Sequence, residues 1–258
     1  MNSIFLYVEK NGEITITGLK EGVSDTSIVI PETIDGMPVV EIGPKAFEFS
    51  TITDIKIGKN IKKIGEKAFY MCNKLRPVTW SHKCDVIPVG CFFGCSNLMQ
   101  FDFSGIKKIG GRAFYESGLQ EVCLTGNTEV VSKKAFSCCK ILRTVIWNCK
   151  CNVIPVECFV RCSNLTKFDF SSVKKIEAYA FWRSGLTSVT LSKKTAVDQN
   201  CFACCNDLEK IEWLSDRNIE KTIFAECKNI KEIFISDSVM DIAVDAFVSS
   251  PNAEITFV

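Results

Sequence analysis

The chain has 258 residues, with 31 Lys+Arg against 30 Asp+Glu and a formal net charge of +1. Apolar residues at 47% and charged residues at 24% describe an ordinary globular chain rather than a disordered one. The even charge balance argues against a main role in gripping nucleic acid or an anionic membrane, and the one histidine, His82, excludes a multi-histidine metal site.

In chain order, residues 1–38 are expected to form an N-terminal β-hairpin cap. Two alternating segments, FLYVEK and EITITGL, flank Asn11-Gly12, a pair suited to a type I′ turn. Ser27 to Ile30 add a third strand leading into the first repeat. The first residues lack the basic start of a secretory signal, and no run of 18 apolar residues marks a membrane span.

Residues 39–258 read as ten repeats of about 22 residues. Phenylalanine recurs at positions 47, 69, 92, 114, 136, 159, 181, 202, 224 and 247, always 21 to 23 residues apart. Around it runs the pattern I-x-x-I-x-x-x-A-F-x-x-C/S, followed by L-x-x-I-x-I. The tail alternates with period two, as a half-buried strand does. The A-F-x-x-C segment is too short for a stable helix and is expected to be a helical or 3₁₀ turn. One such unit cannot bury its own apolar face, whereas stacked copies can. The predicted fold is therefore a repeat solenoid with a curved parallel sheet along one side. A longer period of 67 residues aligns Pro88 with Pro155, Cys91 with Cys158, Asp102 with Asp169 and Gly118 with Gly185. Ser50, Ser117, Ser184 and Ser250 replace the Cys in the first, fourth, seventh and tenth repeats, which are also one residue shorter. A three-repeat block has been duplicated. The chain finishes within a repeat, at AEITFV, as an abrupt or a truncated end.

The segments Ile42-Gly43-Pro44-Lys45-Ala46-Phe47 and Ile64-Gly65-Glu66-Lys67-Ala68-Phe69, the trailing Cys205 to Trp213, and the lead-in Ile34 to Val40 resemble the BspA-like class of leucine-rich repeats. Its Cys-rich and Lys-rich copies look more like the members from parasitic protists. The resemblance implies a non-enzymatic module that binds another macromolecule, often as a surface adhesin. It thus favours the cell surface, while many free thiols favour a reducing interior.

Nine of the 15 cysteines occupy two repeat positions: Cys72, Cys95, Cys139, Cys162, Cys205 and Cys227 after the Phe, and Cys91, Cys158 and Cys201 before it. Buried filler is the expected role, against a disulfide ladder that the odd count and the periodic Ser disfavour. Zinc is not expected, because Cys84 and Cys151, like Cys138 and Cys204, stand three coils apart and cannot converge on one ion. His82 with Cys84 suggests a nucleophilic pair only weakly, with no oriented base or oxyanion site in view. No catalytic residue, cofactor or metal is expected.

Three surfaces remain as candidates. The alternation of the strand points Lys56, Thr79, Asp102, Cys123, Ile146, Asp169, Thr190, Glu212, Phe234 and Thr256 out of the sheet. Of these, Lys56, Asp102, Cys123, Ile146, Asp169, Glu212 and Phe234 are the expected partner-binding residues, with a protein partner of some basic character. The alternative is an aromatic ladder of Tyr70, Phe93, Tyr115 and Trp182, each following the core Phe. A third reading takes Lys62-Lys63, Lys107-Lys108, Lys133-Lys134, Lys174-Lys175 and Lys193-Lys194 as a basic edge able to hold glycan or another anionic surface, against a solvated edge balanced by acidic neighbours. From a different class comes a structural protein that associates with copies of itself.

Overall fold

A computed structural model describes residues 3–80 and 84–258. His82 falls outside the described residues, and with it the pairing of His82 with Cys84. The described residues form a β-solenoid in which each repeat supplies two strand positions and one turn. The chain opens with the hairpin of β1 (Phe5–Lys10) and β2 (Glu13–Leu19), turned by Asn11 and Gly12, both at positive φ. β2 then pairs in parallel with β5 (Met37–Ile42), while β3 (Ser27–Val29) pairs with Asp54–Ile57. Between them, β4 (Thr33–Ile34) folds back on β5. Thus β2 and β3 occupy the two strand positions of a coil that lacks the Ala-Phe turn.

The shorter strand position carries the I-x-x-I motif. Ile42 pairs with Ile64, Ile87 with Ile109 and then Val131, and Ile154 with Ile176 and then Val197. The longer position carries the alternating tail, and its sheet is broken into three segments. Ser27–Val29, Asp54–Ile57 and Val78–Trp80 form the first, and Glu121–Leu124 with Thr144–Trp147 the second. Ser188–Leu191, Lys210–Trp213, Glu232–Ile235 and Glu254–Phe257 form the third. The two breaks fall 67 residues apart, at Phe101-Asp102-Phe103 and Phe168-Asp169-Phe170. At each, the Asp Oδ1 accepts the backbone N–H two residues on (Ser104 or Ser171, both at 2.9 Å), a local turn that competes with the strand ladder. The next coil is of the short Ser-Gly kind. A Cβ on Gly118 would lie 2.1 Å from the Ser96 carbonyl oxygen, and one on Gly185 would lie 2.0 Å from that of Ser163, so only glycine admits this approach.

The A-F segment is not helical. In the second coil Ala68, Tyr70 and Cys72 donate their N–H groups within the turn, three residues back. The residues between them donate to carbonyls of the next coil: Lys67 to Val89, Phe69 to Cys91 and Met71 to Phe93. This alternation requires left-handed backbone on both sides of the Ala-Phe pair. Lys67 and Met71 supply it here, and fifteen non-glycine residues do so in the turns as a whole. Each left-handed residue costs about 1–2 kcal/mol. The backbone bonds made to the adjacent coil offset that cost, which is why the turn exists in the stack and not as an isolated helix.

The core is built around the repeating phenylalanines. From Phe47 to Phe247 every neighbouring pair is stacked, with ring centroids 5.2 to 5.8 Å apart. Beside this column runs a column of thiols. Cys72, Cys95, Cys139, Cys162, Cys205 and Cys227 are buried, and each Sγ donates to the carbonyl of the core Phe in the preceding coil, at 2.9 to 3.2 Å. The Ser of a short coil joins the same column rather than interrupting it. Ser117 Oγ lies 3.3 Å from Cys139 Sγ, and Ser184 Oγ 3.4 Å from Cys205 Sγ. All fifteen cysteines are free thiols.

Candidate binding surfaces and family

Eight of the ten residues expected to leave the sheet do so, the exceptions being Asp102 and Asp169, and the pairing sets them side by side. Lys56 lies opposite Thr79, Cys123 opposite Ile146, and Thr190, Glu212, Phe234 and Thr256 form one continuous row. Their inward neighbours Ile55, Val122, Leu124, Val145, Trp147, Ile211 and Ile233 are buried. Ile146 is 44% exposed, an apolar side chain with no core to occupy. In the C-terminal row, Glu212 accepts from Thr190 Oγ1 at 2.9 Å and pairs with Lys210 at 2.9 Å. Lys210 first, then Thr190, hold the Glu212 carboxyl below the usual carboxylate range. The Lys210 ammonium also lies 4.9 Å from the centre of the half-buried Phe234 ring, a cation–π contact.

Asp102 and Asp169 are exposed, but they stand at the two sheet breaks and act as turn formers. The bonds from Ser171 hold the Asp169 carboxyl below its ordinary range. Their recurrence at 67 residues has this structural reason. The motif D-x-S was the signal for it. The break at Asp102 opens a groove of about 560 Å³, lined among others by Arg76, Met99, Phe101 and Gln120, one residue before the strand that carries Cys123.

The aromatic ladder lies on the turns. Tyr70, Phe93 and Tyr115 are half-buried and stack on one another at 4.7 and 4.6 Å, with the exposed Phe49 set edge-on against Tyr70 at 5.6 Å. Trp182 stands further along, with two guanidinium groups over its ring: Arg183 at 4.4 Å and Arg161 at 5.4 Å. Five of the ten lysines of the basic edge meet acidic partners on neighbouring coils. Lys62 pairs with Glu13, Lys63 with Glu41, Lys107 with Asp85, Lys134 with Glu157 and Lys175 with Asp198, at 2.8 to 3.2 Å. Among the described residues no group of three or more His, Cys, Asp or Glu is placed to hold a metal ion, and no helix is long and apolar enough to cross a membrane.

The family model of the BspA type leucine rich repeat region, which describes six repeat copies, matches this chain in three overlapping stretches, residues 21–143, 102–206 and 129–254. The chain belongs to the BspA-type leucine-rich repeat family. Several solved structures of bacterial proteins are similar to it. A leucine-rich repeat protein from Bacteroides ovatus has a TM-score of 0.73 at 22% identity, covering 98% of this chain and 80% of that one. A leucine-rich repeat protein from Eubacterium ventriosum gives 0.56 at 13% identity, over 100% of this chain and 83% of that one. The pneumococcal vaccine antigen PcpA gives 0.52 at 16% identity, over 99% of this chain and 80% of that one. At these identities the likeness is one of fold. No curated protein matches the chain.

Proposed function

We propose that this BspA-type solenoid is a non-enzymatic binding module that takes a protein partner on its sheet face. The observation that carries the reading is the outward pair Cys123–Ile146, an exposed apolar anchor beside the groove at the Asp102 break, on a backbone fixed by its neighbours. A repeat surface of this kind loses little ordering entropy on binding. Phe234 with Lys210 and Glu212 forms the second anchor, and Lys56, Asp102 and Asp169 complete the face. An adhesive role at a cell surface accords with the family. The lysine edge is the weaker candidate for a partner site, because ion pairs already engage half of its lysines.

Retention of proteins from the producing organism on the immobilised chain tests this. Ile146→Asp with Phe234→Asp should lose the retained partner at unchanged melting temperature, and Tyr70→Ser with Phe93→Ser should keep it. The reverse pattern moves the site to the aromatic ladder.

A further inference from the structure

The aromatic stack on the turns stops two coils short of a second aromatic group. Tyr115 ends the run begun by Tyr70 and Phe93. The next two coils carry Ser137 and Val160 at the same position, and Trp182 follows. With a stacking step of 4.6 to 4.7 Å in this ladder, two coils separate Tyr115 from the coil of Arg161 by about 9 Å, the room for one inserted ring. The structure has a cavity of about 360 Å³ there, within the size range of small-molecule sites. Its walls are Tyr115, Val160 and Trp182, and its rim carries Lys134, Glu157, Arg161 and Tyr179.

The chemistry of the rim discriminates between occupants. Lys134 and Glu157 form an ion pair at 3.0 Å, placing a donor and an acceptor side by side. Arg161, exposed, has no carboxylate within ion-pair distance among the described residues, so with Lys134 and Glu157 paired the cavity lining keeps one net positive charge. A phenyl ring would desolvate the Lys134–Glu157 pair and return nothing. A pyranose has flat C–H faces that suit the negative face of an aromatic ring, and a polar hydroxyl edge that suits a mixed donor and acceptor rim. We propose that this recess binds an acidic pyranose, a uronic acid unit of a glycan. Its flat face stacks on Tyr115, its hydroxyls meet Lys134 and Glu157, and its carboxylate pairs with Arg161. The site lies on the turns and is independent of the sheet-face reading.

Titration of the intact chain with methyl β-glucuronide, followed by calorimetry or by ligand-observed NMR, tests the proposal. The expected result is saturable binding with a Kd on the order of 1 mM, and binding of methyl β-glucoside about tenfold weaker for want of the charge-assisted bonds. Arg161→Gln, a surface change, should reduce glucuronide binding to the glucoside level. Tyr115→Ala should abolish it, whereas Tyr115→Phe, which keeps the stack, should retain it within about twofold. Phenylacetate, an anionic planar ring without hydroxyls, should bind no better than the glucoside. The proposal is overturned by absence of saturable glucuronide binding, by phenylacetate binding as well as the glucuronide, or by glucuronide binding unchanged in Arg161→Gln.

Discussion

Phe136 is fully buried between Phe114 and Phe159, at centroid distances of 5.6 and 5.8 Å. Truncating it to Ala removes both stacking partners' contacts and leaves a cavity that flanking coils cannot close, because the inter-coil hydrogen bonds fix their spacing. A loss of about 3–5 kcal/mol is expected, read as a lower urea midpoint. A negligible effect would show that the Phe column is not the core. The thiol column makes a different prediction. Burial pushes Cys72 and Cys139 from an ordinary value near 9 up to about 12. Below pH 9 each is neutral in both folded and unfolded chains, so stability is untouched. Between pH 9 and 12 the unfolded thiol ionises and the folded one does not, so stability falls by about 1.4 kcal/mol per pH unit for each such group. The melting temperature should therefore decline above pH 9, and Cys72→Ala with Cys139→Ala should make that decline shallower. An unchanged slope would count against buried neutral thiols.

Among the elements, the two strand positions and the Phe and Cys columns were legible because each is a strict repetition of side-chain type. The turn was not. Its left-handed residues are Lys45, Phe49, Lys67, Met71, Arg112 and others of every chemistry, and only in the third coil do Gly90 and Gly94 betray the conformation. The requirement there comes from the neighbouring coil's backbone, which no local pattern records. The sheet face was legible from alternation, whereas the breaks within it are marked in the sequence by D-x-S alone, since Phe101-Asp102-Phe103 alternates as well as any strand. The recess beside Tyr115 is visible in sequence only as the small Ser137, and becomes a cavity once Arg161 and Glu157 are placed around it. The breaks also set which pieces of the array are exchangeable. Asp85 and Asn152 hold equivalent places, each carbonyl accepting from the following coil, from Lys107 and Lys174 respectively. Deleting residues 86–152 therefore removes one whole block and restores every contact type. Deleting residues 108–129 instead removes the Ser-Gly coil and sets a longer Cys-type coil against the Ser96 carbonyl, where a Cβ does not fit. The larger deletion should keep the higher urea midpoint, and the opposite order would show that the block is a relic of duplication and not a packing unit.

The whole molecule is a one-dimensional stack, in which each coil touches the coil before it and the coil after it. That geometry limits how far a perturbation travels. Phe136 and Phe159 share a stacked contact at 5.8 Å, so the second truncation enters a site already relaxed by the first. Phe69 and Phe202 are both buried in the same column but six coils apart, with no common partner. The double variant Phe136→Ala/Phe159→Ala should therefore differ from the sum of its single variants by about 0.5–3 kcal/mol, while Phe69→Ala/Phe202→Ala should be additive within about 0.5 kcal/mol. Urea unfolding of the single and double variants measures both cycles, with hydrogen exchange on the core amides showing which coils open. Strong coupling between the distant pair would mean that the array behaves as one cooperative block, and the nearest-neighbour description of this solenoid would fail. Weak coupling there also has a functional sense. A solenoid whose coils are energetically local can accommodate ligands on separate ladders, one on the sheet and one on the turns, without either altering the other's affinity.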